Sequence, residues 1–141
     1  MLAVCGIVNR NGRVLVCKRP SGSFFSGRWE FPTEVLENDE VLEDALERGV
    51  FERLSVRIKE FLPLGAVNLD AIDDCRLFGF QIKLEKNFVQ LYGYGASKWV
   101  KVNELRKYLA VPESVMFVNF LKKTIKNVRE MFFFSYIFVQ S

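Results

Sequence analysis

Histidine is absent from this 141-residue chain, and with it the side chain that most often serves as general base or metal ligand near neutral pH. Any catalysis would have to rest on carboxylates, Lys, Tyr or Cys. Cysteine is scarce: Cys5, Cys17 and Cys75 each sit in an apolar, strand-like run, and none forms a CxxC pair. That spacing argues against a zinc or disulfide framework and for buried free thiols in a reducing cytosol. No apolar run reaches the ~20 residues that a spanning helix needs. The start, Met1-Leu2-Ala3-Val4-Cys5, lacks the charged n-region and small-residue cleavage site of a secretory signal. A cytoplasmic, soluble protein without an integral membrane segment is the expectation. Charge of one sign is not concentrated either, since 20 Lys and Arg against 17 Asp and Glu leave a net +3. That balance suits an anionic ligand, but it is not the basic stripe of a nucleic-acid binder, and no specific nucleic-acid motif is present.

What is present is apolar: half of the residues are hydrophobic and 14% are aromatic. At this length they supply one core and leave no room for a second domain. Residues 2–9 (LAVCGIVN) read as a buried strand and 13–18 (RVLVCK) as its hairpin partner, joined by the turn signal Asn11-Gly12. A Gly/Ser-rich loop follows over 19–27. Residues 55–70 read as one or two strands interrupted by Pro63, and 75–85 alternate as a strand, with Asp70, Asp73 and Asp74 at the hairpin tip between them. An aromatic, Gly-containing loop (86–97) leads to a strand at Lys98-Trp99-Val100 and a short helix capped by Asn103. A second helix opens at Pro112-Glu113 and carries Lys122, Lys123 and Lys126 in its later turns.

The stretch around which these elements are arranged is Arg28–Val56. It reads as a short strand, a Pro-containing turn, an acidic loop, and a helix from about Glu40 to Leu54. Asn38 or Asp39 is placed to cap that helix, and Glu40, Glu43 and Asp44 favour its N-terminal dipole. Val41, Leu42, Ala45, Leu46, Val50 and Leu54 form the expected buried stripe. Arg48 and Glu52, four apart, can pair on one face, while Gly49 in the interior costs about 1 kcal/mol relative to Ala.

This stretch resembles the Nudix box, whose pattern is Gly, five residues, Glu, seven residues, then Arg-Glu-apolar-x-Glu-Glu-x-Gly-apolar. Glu40, Arg48, Val50, Glu52 and Val56 fall on that spacing. Glu34 stands at the first Gly, Gly49 and Arg53 at two Glu positions, and Ser55 at the second Gly. The Val-Leu-Val-x-Lys-Arg run into Gly-x-Trp-Glu-Phe-Pro, and the later Trp-Val-x-x-x-Glu-Leu run, resemble MutT-type Nudix proteins too. The resemblance implies an α/β fold, a Nudix-like α/β/α sandwich with a mixed central sheet, over residues 1–127. It implies hydrolysis of a nucleoside-diphosphate-linked compound, with Mg²⁺ or Mn²⁺ held by carboxylates.

Carried over residue by residue, the resemblance makes Glu52 and Glu40 the catalytic carboxylates with Arg48 beside them, and Glu52, Glu40 and Glu37 the metal donors. Lys18 and Arg19 would meet substrate phosphates, and Ser114 corresponds most nearly to the base-reading Asn; in a module without turnover, Arg53 and Arg48 would join Lys18 and Arg19 in doing for phosphates what metal does in active relatives. For Lys18 and Arg19 the alternative is a solvated strand end, and for the acidic residues a solvated helix start. MutT-type relatives have a further metal-binding Glu before the Trp-Val run, but no acidic residue lies between Glu85 and Glu104. Two expectations stand side by side. One is a module that binds a nucleotide or other phosphorylated small molecule after impairment or loss of hydrolysis. The other is an active hydrolase with a rearranged Mg²⁺ site. The apolar tail 128–141 is expected to pack on the domain or to join a homodimer; contact with a membrane surface is the third reading.

Overall fold

Asn11 and Gly12 both take positive φ, 52° and 78°, the primed turn geometry whose twist suits a two-residue hairpin. They fold β1 (Leu2–Arg10) onto β2 (Arg13–Lys18), with Asn9 opposite Val14 and Arg10 opposite Arg13. The structure is a computed structural model, and it describes residues 1–22, 26–69, 75–86 and 89–109. Ser114, the second helix, the tail 128–141, and the acidic tip at Asp70, Asp73 and Asp74 lie outside the described residues.

The remaining strands are β3 (Trp29–Glu30), β4 (Thr33–Val35), β5 (Ile58–Leu69), β6 (Cys75–Leu84) and β7 (Ala96–Lys101). They form one mixed sheet in the order β3-β2-β1-β6-β5, with β4 also paired to β1 and β7 to β2. Only β1 and β6 run parallel among the described pairs. Strand β1 is central and covered on both faces, which explains its unbroken apolar run. Val4 and Val8 face the core under the helix, with Leu46, Val50, Leu54 and Phe80. Ala3, Cys5 and Ile7 face a second core with Phe31, Leu77, Leu105 and Leu109. Pro63 does not end β5. The strand runs through it with register shifts at Ile58/Glu60 and Pro63/Gly65, so two bulges absorb what a regular ladder would reject. The three cysteines are buried and form no disulfide among the described residues.

Helix α1 (Leu42–Leu54) begins two residues later than the sequence pattern suggests. Val41 occupies the N-cap position in an extended conformation and no side chain caps the helix, while Asp39 has φ 63°. The reason is local: the Glu40 carboxylate is already engaged, accepting the Glu37 N–H at 2.8 Å and two Arg48 bonds, so Glu40 stays in the loop. Ala45, Leu46, Gly49, Val50 and Leu54 are buried, and Val41, expected in the stripe, is exposed. After Trp99, residues Val102–Lys107 form a 3₁₀ turn without a side-chain cap, rather than a helix capped by Asn103. Among the described residues no helix is long and apolar enough to cross a membrane.

The helix ends at Ser55, which is left-handed at φ 56°, ψ 37° and donates its N–H to Phe51 O at 3.0 Å. A left-handed residue with a Cβ is strained by roughly 1 kcal/mol, a strain that glycine relieves. Ser55→Gly should therefore stabilise the domain by about 1 kcal/mol, read as a higher urea midpoint at unchanged slope.

Candidate functional site

Strand β4 delivers Thr33 and Glu34 against the face of α1 that carries Gly49 and Arg53. A Cβ on Gly49 would lie 2.8 Å from the Glu34 Cβ and 3.0 Å from its Oε2. The first distance is closer than real Cβ atoms come and the second is tight, so the missing side chain is the space that Glu34 fills. The helix-weakening glycine is thus a packing requirement, one that spacing alone does not reveal. Arg53 completes the pair: its Nη1 is 2.8 Å from Glu34 Oε2 and donates to Thr33 O at 2.5 Å. The Arg53 stem runs along Gly93, where a Cβ would meet it at 2.9 Å, and its guanidinium stands 5.8 Å from the Tyr94 ring centroid.

One turn earlier, Arg48 gathers the acidic loop. Its Nε and Nη2 donate to Glu40 Oε2 and Oε1, both at 2.9 Å, and Nη2 also donates to Val35 O at 3.0 Å. Its Nη1 lies 3.6 Å from Glu34 Oε2, 3.6 Å from Glu37 Oε1 and 3.8 Å from Glu52 Oε2. The bonds from Arg48, then the Glu37 N–H, hold the Glu40 carboxyl down to about 2. The same pairing raises the Arg48 pKa further above its ordinary value.

Behind this group is a buried cluster that sequence reasoning missed. Glu30 is 3% exposed and accepts Arg19 Nη1 at both carboxylate oxygens, 3.0 and 3.1 Å. Tyr94 donates its hydroxyl to Glu30 Oε1 at 3.3 Å and accepts the Thr33 N–H at 3.3 Å. Burial raises the Glu30 pKa against the pull of Arg19. It also raises the Cys17 thiol and the Tyr94 hydroxyl, each reinforced by the Glu30 charge. Cys17 is therefore no thiolate nucleophile. The isolated acid in Trp29-Glu30-Phe31-Pro32 was the available signal for Glu30. Nothing local marked Tyr94, 61 residues from Thr33.

Of the residues singled out from sequence, Glu37, Glu40, Arg48, Glu52 and Arg53 come together. Arg19 is committed to Glu30, and Lys18 is exposed at the end of β2. Glu34 and Glu40 are each in close contact with a guanidinium, and among the described residues no three His, Cys, Asp or Glu side chains stand together to hold an ion. A divalent cation ~4 Å from one guanidinium is repelled by about 8 kcal/mol at an effective dielectric near 20.

A family model described as NUDIX domain matches residues 1–120. No curated protein matches the chain. Among solved structures, the NUDIX domain of Shewanella oneidensis NrtR complexed with ADP ribose superposes with a TM-score of 0.73 at 17% identity, covering 89% of this chain and 88% of that one. The MutT protein from Methanosarcina mazei Go1 gives 0.71 at 20% identity, covering 90% and 94%. The E. coli ORF135 protein gives 0.65 at 24% identity, covering 84% and 89%. At these identities the likeness is one of fold.

Proposed function

This chain belongs to the NUDIX domain family, and from that premise we propose that it binds a nucleotide or other phosphorylated small molecule through guanidinium groups, with the family's metal-dependent hydrolysis impaired or lost. The observation that carries this reading is the Arg53–Glu34 pair at 2.8 Å, seated where Gly49 leaves room for it. Arg53 is 31% exposed, and its bonds to protein run through Nη1. Among the described residues Nε and Nη2 have no recorded bond, and their planar fork matches phosphate oxygens. In this reading Arg53 supplies the positive charge that a metal supplies in hydrolysing relatives, while Glu34, Gly93 and Tyr94 fix its direction.

ADP-ribose is the first probe, because the NrtR domain was crystallised with it. Calorimetry in chelator should show binding, changed less than two-fold by added Mg²⁺ and weakened at least ten-fold in Arg53→Gln. Absence of binding with and without metal would sink the proposal. A second reading, hydrolysis through Glu52, Glu40 and Glu37, draws on the exposure of Glu37 and Glu52, 71% and 58%, around the shared Arg48 Nη1. Mg²⁺- or Mn²⁺-dependent phosphate release that disappears in Glu52→Gln would establish it instead.

A further inference from the structure

The far end of β1 carries a second feature, unrelated to Arg53. Glu34 lies opposite Val4 on that strand, whereas a cavity of about 330 Å³ opens at Val8, Asn9, Arg10 and the turn residue Asn11. From Val4 to the nearest wall residue, Val8, is four strand residues, or about 13 Å. The other walls are Lys59 from β5, Lys83 and Leu84 from β6, then Lys86, with Trp99 from β7.

Four cations therefore line one small concavity. The acid paired with any of them among the described residues is Glu60, 3.5 Å from Lys83. Arg10, Lys59 and Lys86 have no ion-pair partner among the described residues. Like charges gathered without partners raise the local potential and attract anions. Lys59 is also the residue skipped by the register shift between Ile58 and Glu60, and bulges of this kind re-aim a side chain away from the regular ladder. The Trp99 ring offers an apolar wall, with the Arg10 guanidinium 5.7 Å from its centroid. The Asn9 and Asn11 side-chain amides provide donors and acceptors for a ring edge.

The volume is at the small end of ligand pockets, large enough for one phosphorylated ring compound and too small for a folded partner. We infer that this cavity is a second binding site, specific for a mononucleotide-class ligand. Its phosphates sit among Lys59, Lys83 and Lys86, and its planar ring lies against Trp99 and Arg10. This inference stands apart from the Arg53 reading and survives its failure.

The chain has two tryptophans, so Trp29→Phe leaves Trp99 as the sole indole reporter inside the cavity. Titrating that variant with ADP should give a saturable fluorescence change. The change should weaken with added salt as screening grows, weaken more than ten-fold in K59Q/K86Q, and persist in Arg53→Gln. No saturable change, or one indifferent to K59Q/K86Q, overturns the site. A change lost in Arg53→Gln assigns the signal to the first site and overturns this one. Inorganic pyrophosphate binding as tightly as ADP would eliminate the ring contact, and with it the nucleotide assignment.

Discussion

Gly49→Glu, made alone, should destabilise the domain by about 3 kcal/mol, whereas the same change combined with Glu34→Gly and Arg53→Glu should cost far less and create affinity for Mg²⁺. The single variant forces a Cβ to within 2.8 Å of the Glu34 Cβ and sets a second carboxylate against Glu34 at a buried position. Overpacking of this kind costs about 1–3 kcal/mol, and like charges in contact add to it. Removing the Glu34 side chain empties that space, and replacing Arg53 removes the guanidinium that bonds Glu34 and Thr33 O. The measurement is a set of urea midpoints for the single and combined variants, with and without millimolar Mg²⁺. Residues in contact show coupling energies of about 0.5–3 kcal/mol, and a value near the top of that range is expected for Glu34 and Gly49. Additive effects, or a triple variant indifferent to Mg²⁺, would show that the two positions are not a coupled exchange.

Arg48→Gln should lower the melting temperature by about 10 °C at neutral pH, with the loss closing in acid. Arg48 lies within 4 Å of Glu34, Glu37, Glu40 and Glu52. Without it four carboxylates repel one another, and Glu40 loses its two-bond partner. The Glu40 carboxyl is held at about 2 in the folded chain against an ordinary 4.5. A depressed carboxylate contributes stability that is present above its unfolded pKa and is lost as pH falls through the folded one. The wild-type chain should therefore lose this contribution between about pH 5 and 2, and the variant, having none to lose, should converge with it at the bottom of that window. Glu30 works in the opposite sense: its pKa is raised by burial, so its protonated form is favoured and its contribution declines as pH rises above the ordinary range. Melting curves from pH 7 to 2 separate the two residues. A wild-type–variant gap independent of pH would overturn the role given to the Arg48–Glu40 fork.

Much of the fold was legible because it is periodic. The alternation in residues 13–18 and 75–85, the Asn11-Gly12 turn and the stripe Ala45, Leu46, Val50, Leu54 are local patterns, and the structure carries them as strands, turn and helix. The helix start was misread for a local reason of a different kind. Asn38 and Asp39 are good caps in isolation, but Arg48 draws Glu40 into a tertiary contact that keeps the loop open for two more residues.

The box spacing, read along the chain, identified Glu34, Gly49, Arg53 and Ser55 as departures from the family pattern. It presented them as four separate losses. Only the folded chain joins three of them, because β4 pairs with β1 beside α1 and so brings Glu34 onto Gly49 and Arg53. Residue type and periodicity are properties of neighbours in sequence, and they marked most of the described strands, the box helix and the family. Who fills whose space, and which charge answers which, depends on distances across the sheet. That is why the Arg53 clamp, the Glu30–Tyr94 cluster and the basic cavity at Lys59 and Trp99 belong to the tertiary structure alone.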